Sequence, residues 1–307
     1  MYILNPDPYI LPDYRIKPFS NSDISFNHTL KDDDFIDDYF SDRYPGKKYV
    51  YTYNGRSAIG LALKYYNLNP GDIVTILTTT GNLYISHVVT DEIDKFCKWS
   101  RQIEPNTKVI LVNHEFGHPY ENLKELRQYG LPIIEDQAYS FYSHDINDTI
   151  GTIGDFVIHS FSKFFPIQVG GLLVNNIDAK LPEPDKMNYE ITRYIKNVLS
   201  FHIRKMNKDC QQRRENYSYL SELLKPLGFN DRFGVSERVV PSVFMFTRGE
   251  REIDLKELKK HCWAYGIYSS VFYGEEGYFL PVHQNLNKYD LEYFLEVIKE
   301  FLKTSDC

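Results

Sequence analysis

Short apolar runs alternate with longer amphipathic stretches through the first 175 or so residues of the chain. Residues 73–77, 108–112, 131–134, 156–160 and 172–174 are each too short for a buried helix. Turn-forming Gly, Pro, Asn or Asp bound most of them, which predicts strands buried on both faces. Residues 48–53 alternate and are also β-prone. Between these runs the spacing is helical. Asn54-Gly55-Arg56-Ser57 opens a helix carrying Ala58, Ile59, Leu61, Ala62 and Leu63, which closes before Asn69-Pro70-Gly71-Asp72. Residues from Tyr84 onward are amphipathic, and 122–129 read as helix. Strands alternating with helices predict parallel βα units with helices on both sheet faces.

The pattern changes after Asn176. Residues 187–224 read as one or two long helices, densely charged at 204–214, where a solvated face is expected. A strand at 239–247, a helix at 254–265 stopped by Gly266, a strand at 278–281 and an amphipathic helix at 288–303 then predict a smaller α/β domain. Residues 1–40 are rich in Pro, Asp and Asn. They read as an irregular arm followed by a short helix at 34–40. The expected division is an arm and large domain over 1–188, and a long helix and small domain over 189–307.

Composition narrows the function. The 307 residues are 42% hydrophobic and 25% charged, as in soluble globular proteins. A net charge of −7 implies no strongly basic face, so nucleic acid is not an expected partner. Cys97, Cys210, Cys262 and Cys307 are scattered with no CxxC pair, which points to a reducing, cytoplasmic setting. Met1-Tyr2-Ile3-Leu4-Asn5-Pro6 lacks the basic and apolar regions of a signal peptide, and no run is long enough to span a bilayer, so no membrane association is expected.

The candidate chemistry sits at strand ends. Asp136 closes the run at 131–134, where α/β sheets present ligand-binding groups; it could protonate a pyridine nitrogen, bind a metal or cap a turn. Lys163 follows 27 residues later, just past the run at 156–160 and before Gly170-Gly171. Gly55-Arg56-Ser57 begins a helix, where free N–H groups and the helix dipole favour a phosphate. A phosphate-type helix start, a strand-end acid and a strand-end lysine in this order are the parts of a pyridoxal phosphate (PLP) site. There the lysine amine takes the aldehyde as a Schiff base and the acid keeps the ring nitrogen protonated.

With these pieces the sequence resembles the DegT/DnrJ/EryC1/StrS sugar aminotransferases, a family of fold-type I PLP enzymes. The resemblance is carried by Asn54 to Leu63, Pro70-Gly71-Asp72-Ile73-Val74, Val112 to Pro119, Pro132 to Ala138, Gly154 to Lys163 with Gly170-Gly171, and Leu280 to Leu286; it extends over about residues 35–303. It implies an aspartate-aminotransferase-like large domain with a mostly parallel sheet. It further implies a homodimer with active sites at the interface, an amino donor such as glutamate, and a small keto substrate, a nucleotide-linked sugar in polysaccharide or secondary-metabolite biosynthesis. Lys163 would be the Schiff-base lysine and proton carrier, and Asp136 the partner of the ring nitrogen. Arg56, Ser57 and Ser160, beside Gly55, would hold the phosphate, and Tyr139 would face the ring oxygen. The branch that dehydrates sugars typically has His at the lysine position, so Lys163 favours transamination. Tyr139 stands where the family usually has Gln or His, a mild departure, and two further places depart from the family pattern. Thr80-Gly81-Asn82 stands where an aromatic residue stacks on the ring, leaving Asn82 and Tyr84 as the candidates. Glu190 follows Asn188-Tyr189 where a phosphate-reaching arginine is expected.

His114-Glu115-Phe116-Gly117-His118 competes as a zinc-hydrolase HExxH motif, which requires both histidines on one helix face. Gly117 and Pro119 oppose a helix there. A degenerate PLP fold acting as a regulator or partner subunit is the remaining alternative; such a scaffold has no use for the Asp136 and Lys163 pair. His87 and His283 are expected to be structural.

Overall fold

The computed structural model describes residues 12–183 and 187–305; the chain start at residues 1–6 and Cys307, both weighed above, lie outside them. After α1 (Asn21–His28) and α2 (Phe35–Arg43) come β1 (Lys48–Thr52), α3 (Gly55–Tyr66), β2 (Ile73–Thr78), α4 (His87–Ile93), β3 (Lys98–Ser100) and β4 (Thr107–Asn113). Residues Leu123–Tyr129 form a 3₁₀ helix rather than an α-helix, ending at Gly130 with φ 64°. β5 (Ile133–Asp136), β6 (Phe156–Ser160) and β7 (Gly171–Asn175) complete a seven-stranded sheet of order β1-β7-β6-β5-β4-β2-β3.

Five neighbours, β3, β2, β4, β5 and β6, run parallel, whereas β7 is antiparallel to both β6 and β1. The sheet is therefore mostly parallel. The exception follows from connection length: a short link cannot contain the crossover helix that a parallel return requires. Period-two alternation places the core on both faces. Phe156, Ile158 and Leu173 pack under α3 and α4. Val157, Leu172 and Val174 pack instead with Ile36 and Phe40 of α2 and with α5 (Tyr189–Ile203). The expected buried strands are thus fully covered, as parallel sheets require.

The second sheet has the order β10-β11-β9-β8, built from β8 (Asn230–Asp231), β9 (Val243–Thr247), β10 (Ser270–Phe272) and β11 (Gly277–Pro281), all antiparallel. Phe244, Phe246, Tyr278 and Leu280 face α6 (Met206–Leu224), α7 (Leu255–Ala264) and α8 (Lys288–Ser305). The opposite face, Val243, Met245, Phe272 and Phe279, packs on Phe116, Tyr84 and Tyr139. Alternation along β9 and β11 thus roofs the C-terminal ends of the parallel strands, where α/β sheets bind ligands.

Candidate active site

A cavity of about 450 Å³ lies between the strand ends and this roof. Its floor begins at α3. Asn54 caps that helix, its side chain accepting from the Ser57 N–H at 3.0 Å, and its carbonyl accepts from Ala58. Gly55 packs on the end of β6, where an added Cβ would stand 3.1 Å from Ser160 Cβ. Gly55, Arg56 and Ser160 line the cavity; Ser57 lies outside its lining and borders a smaller depression along α3 and α4.

The Gly170-Gly171 pair serves this floor. A Cβ on Gly171 would sit 2.5 Å from the Asn54 carbonyl carbon, and Gly170 adopts φ 112° while donating to Tyr53 at 2.6 Å. β7 can approach the start of α3 so closely only without side chains there.

Asp136 ends β5 at 3% exposure. One carboxylate oxygen accepts from Ala138 N–H and the other from the Asn113 amide, each at 2.9 Å. Burial raises its pKa above the usual carboxyl range, against those two donors and the pull of His114 and Lys163. Behind it the neighbouring Glu135 carboxylate accepts the N–H groups of Gly151, Ile153 and Gly154. Of this adjacent pair only Asp136 faces the cavity.

Lys163 closes a 3₁₀ turn, Phe161–Lys163, immediately after β6. Its amine donates to the Tyr139 hydroxyl at 2.7 Å and lies 4.3 Å from that ring's centre. Tyr84 lines the cavity, but Asn82 does not: it is buried, bound to Glu275 at 2.7 Å and to the Tyr84 N–H. Asn188 caps α5 through Glu190 N–H, Tyr189 is 73% exposed, and Glu190 pairs with Arg193 at 2.8 Å.

The HExxH segment is not helical. Phe116 (φ 47°) and Gly117 (φ 106°) are the two centres of a tight turn closed by His118 N–H to Glu115 C=O at 2.7 Å. Glu115 accepts twice from Thr80, His118 stacks on Phe233 at 4.0 Å, and His114 Nδ1 accepts from Tyr120 N–H. No His, Cys, Asp and Glu cluster among the described residues can hold a metal. The zinc reading fails because the turn separates the two histidines.

Sequence reasoning missed two cations. Arg213, assigned above to a solvated helix face, is wholly buried. It donates to Gln284 at 2.8 Å and to the carbonyls of Pro241 and Lys163 at 3.3 Å, with its guanidinium 4.6 Å from the Phe164 ring centre. Burial lowers it to about 10. The surrounding charges, Arg204 and Arg214 among them, disguise it; only its position on the apolar face of α6, four and seven residues before Tyr217 and Leu220, marks it. Lys17, from the arm before α1, lines the cavity as well. His87 is exposed at the start of α4, whereas His283 is buried and uncharged, lowered to about 3 by burial and then by Arg213.

The architecture is that of the fold-type I aminotransferases. The aminotransferase TlmJ of Streptoalloteichus hindustanus superposes with a TM-score of 0.75 at 15% identity, over 97% of this chain and 100% of that one. NtdA of Bacillus subtilis, solved with bound cofactor PMP, gives 0.69 at 15% identity over 98% and 87%. Residues 95–183, a stretch that contains both Asp136 and Lys163, match the model of the DegT/DnrJ/EryC1/StrS aminotransferase family. The resemblance read from the sequence is thereby borne out, over a narrower span than residues 35–303. A UDP-N-acetyl-3-dehydro-α-D-glucosamine 3-aminotransferase of Acidithiobacillus ferrooxidans is 31% identical over 146 residues, 42% of this chain and 40% of that protein. The chain spans less than half the length of the curated relatives it matches, 42% and 40%.

Proposed function

We propose that this chain is a PLP-dependent aminotransferase that moves an amino group from an amino acid, glutamate by preference, to the keto group of a nucleotide-linked sugar. The observation that carries the reading is the meeting of the Lys163 amine, the buried Asp136 carboxylate and the start of α3 in one cavity. The residues fit the cofactor. The α3 N-terminus, Arg56 and Ser160 are a donor set for its phosphate, and Gly55 leaves space that a Cβ would take. A cavity of about 450 Å³ suits a group of that size.

Once bound, PLP supplies an aldehyde for primary amines and a ring that takes up the electron pair released at the substrate Cα. The chain's own groups do the rest. Lys163 would present its amine to that aldehyde, and the free amine would serve as the base that takes and returns the proton of the substrate Cα. Tyr139 holds that amine at 2.7 Å and fixes where the proton is picked up and set down. Asn113 and Ala138 fix the Asp136 carboxylate toward the ring nitrogen, and its burial strengthens that contact. Phe279, Tyr84 and Phe116 exclude water from the roof side.

The 31% identity to the UDP-sugar 3-aminotransferase supports a nucleotide-linked keto sugar as acceptor. Cytoplasmic biosynthesis of a polysaccharide or secondary metabolite is the setting we infer, with a homodimer as the working form. The test is a visible spectrum of the PLP-loaded protein titrated with L-glutamate. The expected result is a visible absorbance band of the lysine-bound cofactor that glutamate bleaches. A band indifferent to every amino acid offered would refute the transamination reading.

A further inference from the structure

We propose that Lys17 binds a carboxylate of the amino-acid donor, held over the cavity by a strap of chain anchored at both ends. The inference rests on the aminotransferase reading and extends it to substrate recognition.

The strap is built from the segment before α1. On one side, Tyr14 N–H donates to Gly266 C=O at 2.9 Å, Tyr268 N–H donates to Tyr14 C=O at 2.8 Å, and the Tyr14 hydroxyl donates to Asp290 at 2.9 Å. On the other side, the Asn285 amide donates to Pro18 C=O at 2.8 Å. Between the anchors, Ile16 packs on the aromatic roof with Phe116 and Phe279, and the chain bends through Ile16, Lys17 and Pro18. Lys17 therefore reaches the cavity lining from a fixed backbone, while its outer side stays in solvent.

The charge there is uncompensated. No ion pair is formed by Lys17 among the described residues, and the two carboxylates that line the cavity are engaged elsewhere. Asp136 is bound by Asn113 and Ala138, and Glu115 by Thr80. Lys17 is solvent-exposed on its outer side; where it borders the cavity, partial burial and then repulsion from Lys163 and Arg15 lower its ammonium, and an incoming anion would offset that repulsion. The phosphate cradle is made of other elements, the α3 start and the end of β6. Every α-amino acid donor, by contrast, carries a carboxylate on the carbon that bears its reacting amine. That anion must enter the cavity with the amine that meets Lys163, and a cation already held there by the strap needs no rearrangement to receive it.

The test compares PLP-loaded wild type, Lys17→Gln and Lys17→Arg. Half-saturation by L-glutamate is read from the visible spectrum, Kd for succinate, an unreactive dicarboxylate, by calorimetry, and PLP affinity by equilibrium dialysis. The expected result in Lys17→Gln is a loss of roughly tenfold or more for both glutamate and succinate. PLP affinity should stay within about twofold, and Lys17→Arg should recover most of the loss. Unchanged glutamate and succinate binding in Lys17→Gln overturns the proposal, as does a fall in PLP affinity alone, which would assign Lys17 to the phosphate. A wild type that forms no band with PLP removes the aminotransferase reading, and this inference with it; a normal band with an indifferent Lys17→Gln removes this inference only.

Discussion

At the residue scale, the site depends on how Lys163 is held. Its amine meets Tyr139, but its backbone is held from below by Arg213, whose guanidinium donates to the Lys163 carbonyl and stacks on Phe164. Gln284 joins the same clamp, accepting from Arg213 Nε and donating to Phe164 C=O at 2.9 Å. A wholly buried cation that pairs with no carboxylate among the described residues is costly, and here carbonyls and a ring face compensate it. Arg213→Met removes the charge but strands Gln284 and two carbonyls. We expect it to lower stability by about 2–4 kcal/mol and to weaken the PLP band at a given cofactor concentration. Urea unfolding and a PLP titration of the variant check both; full stability with unaltered cofactor binding would show that the clamp does not position Lys163.

At the element scale, the chain announces most of what builds the floor of the site. The strand ending in Asp136, the strand before Lys163 and the helix opened by Asn54-Gly55 are all legible, because each is a short apolar run or an amphipathic repeat bounded by turn residues. The antiparallel course of β7 was not, since a buried strand reads the same in either direction and only the short link from Phe161 to Gly170 decides it. β3, β8 and β10, of three, two and three residues, fall below any periodicity. α1 was hidden in the polar arm because its side chains, Asn27 excepted, are at most partly buried; it is set by the Ser20 and Asp23 capping box rather than by an apolar face. Contacts between remote segments were equally silent. Nothing near Lys17 announces that Gly266 and Asn285 hold its strap over the cavity.

At the scale of the whole molecule, the roofing of the parallel strand ends by the small sheet buries histidines as well as aromatic rings. Burial, with Arg232 behind it, lowers His118 to about 4, and burial followed by Arg213 lowers His283 to about 3. In the unfolded chain both titrate near 6.5. Below that pH the unfolded state takes up protons that the folded state refuses, so stability falls as pH drops from about 6.5 toward 4, and the two groups add no slope above about 6.5. At pH 5 each should cost about 2 kcal/mol relative to pH 7.5. Urea unfolding at the two pH values tests this, and His118→Gln should recover about 2 kcal/mol of the loss, the buried His159 and His202 adding to the remainder; an acid loss unaltered in the variant would place the titrating groups elsewhere. The central claim concerns which amine receives the cofactor. The cavity holds two lysines, one presented by the large sheet and one by the strap. Borohydride reduction of the PLP-loaded protein, followed by peptide mass spectrometry, identifies that amine directly. The account predicts a stable pyridoxyl adduct on Lys163 that disappears in Lys163→Ala; an adduct on Lys17, or none on either, would contradict it.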